Sequence, residues 1–428
     1  MSDILELAIE RPVAGGRMLA RHEGRVVFVS GAIPGERVRA RVERAGKQAW
    51  FAATVEVLEA SPDRRVPPCD PACGGSTFAH IQYDRQRALK QQILIDAFHR
   101  LARIDLPTPP SVAASPEQGY RHRARLHLSG GRAGYYLEGT HTLCDAASTG
   151  QLRDDSVAAV SAVIAALGPH ANDCQAVVVS ENVPATARVI HLEPTDRARL
   201  DAIAGAVAAV RPGQLPGVTG VTMLVRGGLR PLWGQAAVTD RAEDLFGADA
   251  LVAGGVTWTR SAQPFFQGNR YLIGSLVRGV LSAANGDRIV DLYAGVGLFS
   301  VALAASGARV LAVEGDPFAV ADLRTNAAQT DGRLTVSAVA VEDAVQKAPG
   351  DAPDVVVLDP PRTGASAKTI EGIAEWGVPT IVYVSCDPPT LARDAARLCE
   401  RGYTLAALEA FDMFPNTPHV EAIATFKS

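Results

Sequence analysis

Lysine is scarce: five of the 42 basic residues are lysine (Lys47, Lys90, Lys347, Lys368 and Lys427) and the other 37 are arginine. Arginine suits bidentate phosphate contacts and stacking on bases, although codon composition alone can produce such a bias. Positive charge of the whole chain is also lacking. The formal charge is −4, which excludes nucleic-acid binding by bulk electrostatics alone and leaves only local patches. Long apolar runs are missing: no window approaches 18 uncharged apolar residues, and the first 30 residues carry Asp3, Glu6, Glu10, Arg11 and Arg17 where an export signal needs an apolar stretch. The expectation is a soluble, cytoplasmic protein. Cysteine is sparse, six residues in 428 and scattered, which excludes a disulfide framework. With 47% hydrophobic and 21% charged residues, disordered, collagen-like and coiled-coil readings fall away, and the length predicts two to four domains, each with a core.

Between residues 4 and 60, short runs alternate in polarity with a period of two: Leu5 to Glu10, Arg25 to Val29, Glu36 to Val42 and Ala52 to Leu58. Gly15-Gly16, Gly24, Gly31, Pro34-Gly35 and Gly46 punctuate them, which is the pattern of a small closed β-barrel. Arg37, Arg39 and Arg41 fall on alternate positions and are expected to point outward, where they either track a phosphate backbone or are simply solvated. The polar stretch from Ser61 to Pro68 reads as a linker.

Cys69 and Cys73 stand four apart beside Gly74-Gly75-Ser76, ahead of a helical pattern from about Asp84 to Ala102. They are either part of a metal or iron-sulfur site, completed by residues such as Cys144 or His80, or two loop cysteines at a turn. From Gly119 to Thr259, strand-like and helix-like segments alternate without a strong chemical motif. Arg121, Arg123 and Arg125 stand out there. A strand would put all three guanidinium groups on one face, the preferred nucleic-acid contact. Cys174 has no partner motif and reads as structural.

The clearest signal lies in the last 165 residues. Apolar strands end at Asp291, Glu314, Asp359 and Cys386, with helical patterns between them, which predicts a parallel, doubly wound sheet whose ligands sit at those strand ends. The first turn, Gly295-Val296-Gly297, lets backbone approach a ligand closely. Ser300 replaces the third glycine of a dinucleotide fingerprint, and Asp291 would repel a pyrophosphate. That acid suits a cofactor with a cationic amino group and sulfonium, namely S-adenosylmethionine, and Glu314 is placed for ribose hydroxyls. Cys386 precedes a helix with Asp387 as N-cap and Pro388 in the first turn; a helix N-terminus is expected to lower the thiol pKa, making Cys386 the candidate nucleophile. Cys399 is expected to face inward from that helix. Glu421, in an otherwise apolar terminal strand, is costly to bury without a function and is the candidate general base.

Six segments together resemble the RNA uracil-5-methyltransferase family: Phe265-Phe266-Gln267-x-Asn269, Asp291-Leu-Tyr-Ala-Gly-Val-Gly297, Val313-Glu314-Gly, Leu358-Asp359-Pro-Pro-Arg362, Val384-Ser-Cys386-Asp-Pro-x-Thr-Leu-Ala-Arg393-Asp394 and Met413-Phe-Pro-x-Thr-x-His419-x-Glu421. The amino-terminal part looks like the family's TRAM domain and the middle like its iron-sulfur-bearing domain. The resemblance implies an OB-like barrel over residues 1–60, an α+β central domain over 61–262 and a Rossmann-like methyltransferase domain over 263–428. It implies Cys386 as nucleophile, Glu421 as base, and Gln267, Tyr293, Gly295, Glu314 and Asp359 around S-adenosylmethionine and uracil. Phe265 or Phe266 would stack on the extruded target uridine. The implied product is 5-methyluridine in a structured ribosomal or transfer RNA, made by a monomer with no obligate protein partner. Alternatives are a methyltransferase for another nucleic acid or base, and an RNA-binding protein that no longer turns over. Two departures stand out. Cys69, Cys73 and Cys144 match three ligands of a 4Fe-4S cluster, but Ser76 stands at the fourth, so the cluster is expected to be absent or incomplete. Leu298 stands where many members have Asn.

Overall fold

The computed structural model describes residues 4–211, 213–225, 228–247, 252, 255–347 and 349–428. Strands Ile4–Pro12, Met18–His22, Arg25–Ser30, Arg37–Ala45 and Ala49–Glu59 close into a barrel. Alternation buries Leu5, Leu7 and Ile9 on the first strand and Val38 and Ala40 on the fourth. It leaves Arg37, Arg39 and Arg41 outside. Arg37 pairs there with Glu6 at 3.0 Å and Glu59 at 3.1 Å, and Arg39 with Glu56 at 2.8 Å. The second strand escaped the sequence pattern because Met18, Leu19 and Ala20 are buried consecutively. The stretch after the barrel is tethered rather than a free linker: buried Glu36 accepts from Arg64 Nε at 2.6 Å, and Arg65 reaches Glu117 and, at 2.8 Å, Asn416 near the carboxyl end.

The middle of the chain forms a seven-stranded sheet in the order Gly228–Gly234, Gly220–Val225, Arg188–Pro194, Cys174–Glu181, Arg123–Ser129, Arg132–Tyr136, Leu143–Asp145. Helices Asp154–Leu167 and Leu200–Ala208 cover one face, burying Ala124, Leu126, Val177, Val179, Ile190 and Leu192. The period of two turns Arg123, Arg125, Val178, His191 and Leu224 to the other face. Cys174 is buried in this core, as expected.

The largest sheet has eight strands in the order Leu334–Ser337, Arg309–Val313, Arg288–Leu292, Val355–Leu358, Thr380–Ser385, Glu421–Lys427, Thr404–Phe411, Val112–Ala113. The first five run parallel and Glu421–Lys427 antiparallel to its neighbour. The chain leaves Arg288–Leu292 toward one edge and returns to its other side with Val355–Leu358. That reversal opens a crevice between the two strand ends, the place where such sheets bind ligands.

Residues 83–113, assigned from sequence to the central domain, pack on this last body. Leu94, Ala97, Phe98 and Val112 share a core with Tyr383, Leu398 and Phe426. Lys90, wholly buried, is ion-paired with buried Asp412 and donates to the Phe414 carbonyl at 3.0 Å. Lys90→Met would leave Asp412 buried without its cation. It is expected to cost ~3–5 kcal/mol of unfolding free energy, with most of the loss recovered in Lys90→Met/Asp412→Leu, as read by denaturant titration.

Candidate active site

Asp291, next to last in strand Arg288–Leu292, is fully buried, with one oxygen accepting from the Ser300 hydroxyl and Oδ1 without a partner among the described residues. Burial, helped by the charges of Asp359 and Glu314, pushes its pKa up to about 7. Tyr293 then adopts a left-handed φ of 60°, a strained conformation for a residue with a Cβ. Its hydroxyl reaches Glu342 at 3.3 Å and Thr369 at 3.4 Å. Gly295 follows at φ 56°, with open space where a Cβ would stand. The Gly295 amide donates to Glu314 Oε2 at 2.8 Å while Glu314 Oε1 accepts from the Asp316 amide at 2.7 Å. Glu314 thus ties the first and second ligand loops together and keeps lone pairs for a ribose. Leu298 begins the helix Leu298–Ala305 and is buried.

On the other side of the crevice, Gln267 Nε2 donates to Asp359 Oδ2 at 3.1 Å, and buried Gln267 Oε1 has no partner among the described residues. Desolvation raises the Asp359 pKa to about 7. Two buried acceptors without donors, Asp291 Oδ1 and Gln267 Oε1, beside a turn open at Gly295, fit a ligand bearing an ammonium and a sulfonium.

Cys386 and Glu421 meet through strand register. Ser385 pairs with Ala422 across the antiparallel strands, so Cys386 and Glu421 emerge opposite each other at one sheet end. Glu421 is buried, its Oε1 has no partner among the described residues, and burial, with the Asp359 charge, holds its pKa well above the usual carboxylate range. Half-buried Cys386 is pushed up to about 12, chiefly by burial and then by Glu421. This reverses the expectation of a thiol acidified by the helix N-terminus. Asp387, the N-cap, already takes the Thr390 amide at 2.9 Å, and desolvation outweighs the helix end. Arg362 opposes the shift at both residues. Cys399 is also placed differently, half-exposed rather than inward.

Sequence reasoning missed the supports. His122, fully buried, donates from Nε2 to the Gln267 carbonyl at 2.7 Å. The Arg260 guanidinium lies 4.0 Å from the Phe266 ring centre, and Arg260 is ion-paired with buried Asp240. Phe266 is therefore buried under this cation and unavailable for stacking on a base, whereas Phe265 is 64% exposed. The buried carboxylate of Asp394 accepts from the Ala365 amide at 2.9 Å and the Tyr383 hydroxyl at 2.8 Å, fixing the Asp359–Arg362 loop. Only its place in the Arg393-Asp394 motif marked it.

Arg121, Arg123 and Arg125 alternate as expected but make no open basic stripe. Arg121 lies among the rings of Tyr120, Tyr135 and Phe414 at 5.5–5.9 Å. Arg123 donates to the Gln263 carbonyl at 3.1 Å, and exposed Arg125 is bound bidentately by Glu193 at 2.7–3.0 Å. Rings, carbonyls and one carboxylate absorb the charge.

The cysteine cluster converges without making a metal site. Cys73 and Cys144 form a disulfide, their Cα atoms 5.9 Å apart. Cys69 is a free, half-buried thiol whose pKa burial raises, and buried Ser76 donates to the Asp70 carbonyl at 2.9 Å. His80 lies apart, against the Ala32 carbonyl of the barrel at 3.3 Å. Among the described residues no group of three or more His, Cys, Asp or Glu side chains is arranged to hold a metal ion. These donors do not fit a 4Fe-4S cluster, since the fourth is a hydroxyl already engaged. Protein purified anaerobically is expected to contain almost no iron or inorganic sulfide; a full cluster complement by elemental analysis would overturn this.

Comparison with known proteins identifies the family. The tRNA (uracil-5-)-methyltransferase family model matches residues 352–427, the TRM5/TYW2 methyltransferase domain 271–371 and the TRAM domain 3–55. Full-length relatives include the 23S rRNA (uracil(1939)-C(5))-methyltransferases of Halomonas elongata, 34% identical over 98% of this chain and 88% of that one, and of Chromohalobacter salexigens, 36% identical over 97% and 88%. The chain belongs to the RNA uracil-5-methyltransferase family. The whole fold is shared with the crystal structure of Pyrococcus abyssi tRNA (uracil-54, C5)-methyltransferase in complex with S-adenosyl-L-homocysteine, at a TM-score of 0.76 and 22% identity, covering 99% of this chain and 100% of that one. As a family member the protein is an S-adenosylmethionine-dependent RNA methyltransferase acting on uracil carbon 5, with an amino-terminal TRAM barrel. Among the described residues no helix is long and apolar enough to cross a membrane.

Proposed function

We propose that the protein methylates one specific uridine of a structured RNA, ribosomal RNA before transfer RNA, through a covalent bond between Cys386 and carbon 6 of the base. The observation that carries the reading is the Ser385–Ala422 register, which sets the Cys386 thiol opposite a buried carboxylate without a hydrogen-bond partner on Oε1 among the described residues. Bound between the Gly295 turn, Glu314, Asp291 and Gln267, S-adenosylmethionine supplies an electrophilic methyl group. Carbon 5 of uracil is a poor nucleophile. Cys386 Sγ, giving its proton to solvent, adds to carbon 6 and drives an electron pair to carbon 5, which takes the methyl group as its bond to the sulfonium sulfur breaks and S-adenosylhomocysteine leaves. Glu421 removes the carbon 5 proton, and the Sγ–carbon 6 bond breaks to release 5-methyluridine and the thiolate. Arg362 offsets the negative charge that passes between Cys386 and Glu421. Phe265 at the rim would hold the extruded base by stacking.

The test is to incubate unmodified ribosomal and transfer RNA with S-adenosylmethionine labelled in its methyl group and to map the product. Label in 5-methyluridine at one position is expected; label on another base, or none, rejects the reading.

The raised carboxyl pKa values give a further expectation. Asp291 and Asp359 titrate near pH 7 in the free protein, above their unfolded values, so folded protein holds these protons more tightly and loses stability as pH rises from about 4 to about 7. A cationic ligand favours the ionised forms. S-adenosylmethionine affinity should therefore rise from pH 6 to a plateau above 7, by up to about tenfold per pH unit for each proton released. Calorimetry in buffers of different ionisation enthalpy reads that release; a flat profile would show that neither acid faces the cofactor's charge.

A further inference from the structure

The face of the seven-stranded sheet left free by its two helices carries a cavity of about 660 Å³, lined by Arg123, Gln175, Val178, His191, Leu224 and Gln263 among others. Two of the lining residues, Arg123 and Gln263, each keep a buried side-chain atom, Nε and Oε1, without a hydrogen-bond partner among the described residues. One is a donor and the other an acceptor. Buried polar atoms are rarely left unpaired and cost free energy when they are, so such a pair in a cavity calls for a ligand that completes it. Arg123 is held ready, because its Nη2 already donates to the Gln263 carbonyl at 3.1 Å.

The charge balance selects among ligands. Arg125 at the rim is neutralised bidentately by Glu193. His191, its pKa lowered to about 4 by burial, is uncharged at neutral pH and bonded to Thr222 at 3.0 Å. A phosphate would find one unneutralised cation, whereas a flat ring with neighbouring donor and acceptor groups finds an apolar wall in Val178 and Leu224 and a matching pair in Arg123 and Gln263. At the mouth the exposed Phe265 ring lies 5.9 Å from the Arg123 guanidinium. Gln263 and Gln267 belong to one segment, within about 14 Å of each other even if fully extended. Gln267 faces Asp359 in the reaction crevice, so the cavity lies within reach of an RNA that delivers a uridine there.

We propose that the cavity takes a second nucleobase of the substrate RNA, turned out of its stack near the target uridine and read on its edge by the Arg123 and Gln263 side chains. This rests on the uridine-methylating function proposed above. It makes the central sheet a specificity-determining surface.

The test uses the full chain and an unmodified 23S ribosomal RNA transcript. Gln263→Ala removes the acceptor, and Leu224→Trp fills the mouth. Both are expected to raise the KM for RNA and weaken filter-retained RNA binding roughly tenfold, leaving S-adenosylmethionine affinity unchanged. Changing the nucleotides around the target one at a time should reveal one position whose substitution raises the wild-type KM, and Gln263→Ala should erase that penalty. An unchanged RNA affinity in Gln263→Ala, or a penalty that persists in it, overturns the proposal. Should Leu224→Trp lose cofactor binding through misfolding, Gln263→Ala decides alone. If the wild type methylates no uridine, the functional reading falls while the binding comparison still judges the cavity.

Discussion

Cys386→Ala is expected to lose methylation altogether while binding S-adenosylmethionine nearly as well as the wild type. The thiol emerges on the Glu421 side of the crevice, and the carboxylates that would hold the cofactor, Asp291 and Glu314, stand at other strand ends. Losing the nucleophile removes a bond made after binding, so the effect falls on turnover rather than cofactor affinity. The substitution removes one sulfur from a half-buried position, so folding should suffer little. The measurement is incorporation of labelled methyl into RNA beside calorimetric cofactor binding. Methylation retained by the alanine variant would refute covalent catalysis.

Glu421→Gln is expected to stop the reaction one step later. Addition to carbon 6 and methyl transfer do not need this carboxylate, but departure of the carbon 5 proton does, and until it leaves the sulfur cannot be eliminated. A protein–RNA species that survives denaturing electrophoresis and carries labelled methyl is the predicted product. The amide keeps the size of the side chain and removes a buried acid whose ionisation is opposed by burial and by Asp359, so the fold should be no less stable. Free methylated RNA at the wild-type rate would exclude Glu421 as the base.

The catalytic sheet was legible because parallel strands buried on both faces are continuous apolar runs that end at polar residues: Asp291, Glu314, Asp359 and Cys386 lie at or just beyond the strand ends. The barrel was legible through alternation, except at Met18–His22, where that signal disappears. What could not be read depends on contacts between distant segments. Phe266 and Phe265 are neighbours with identical side chains, and only the Arg260 guanidinium distinguishes the buried ring from the exposed one. The thiol pKa was misjudged because a local cue, the helix N-terminus, was weighed without the burial of the thiol and the carboxylate brought opposite by strand pairing. Arg121 and Arg123 gave a clear period but no hint of the rings and carbonyls that cover them.

The pairing of Lys90 with Asp412 also sets a timetable for synthesis. The two residues are 322 positions apart, so at about 5–20 residues per second the helix Tyr83–Ala97 leaves the ribosome roughly 15–60 s before its partner exists. Through that interval the nascent helix must wait with Leu94 and Phe98 uncovered, and the lysine charge helps keep it in water until Asp412 arrives. A ribosome pausing in the last hundred or so codons would lengthen the exposure of an unfinished core, which makes the carboxyl-terminal strands the step that commits the chain to its native state.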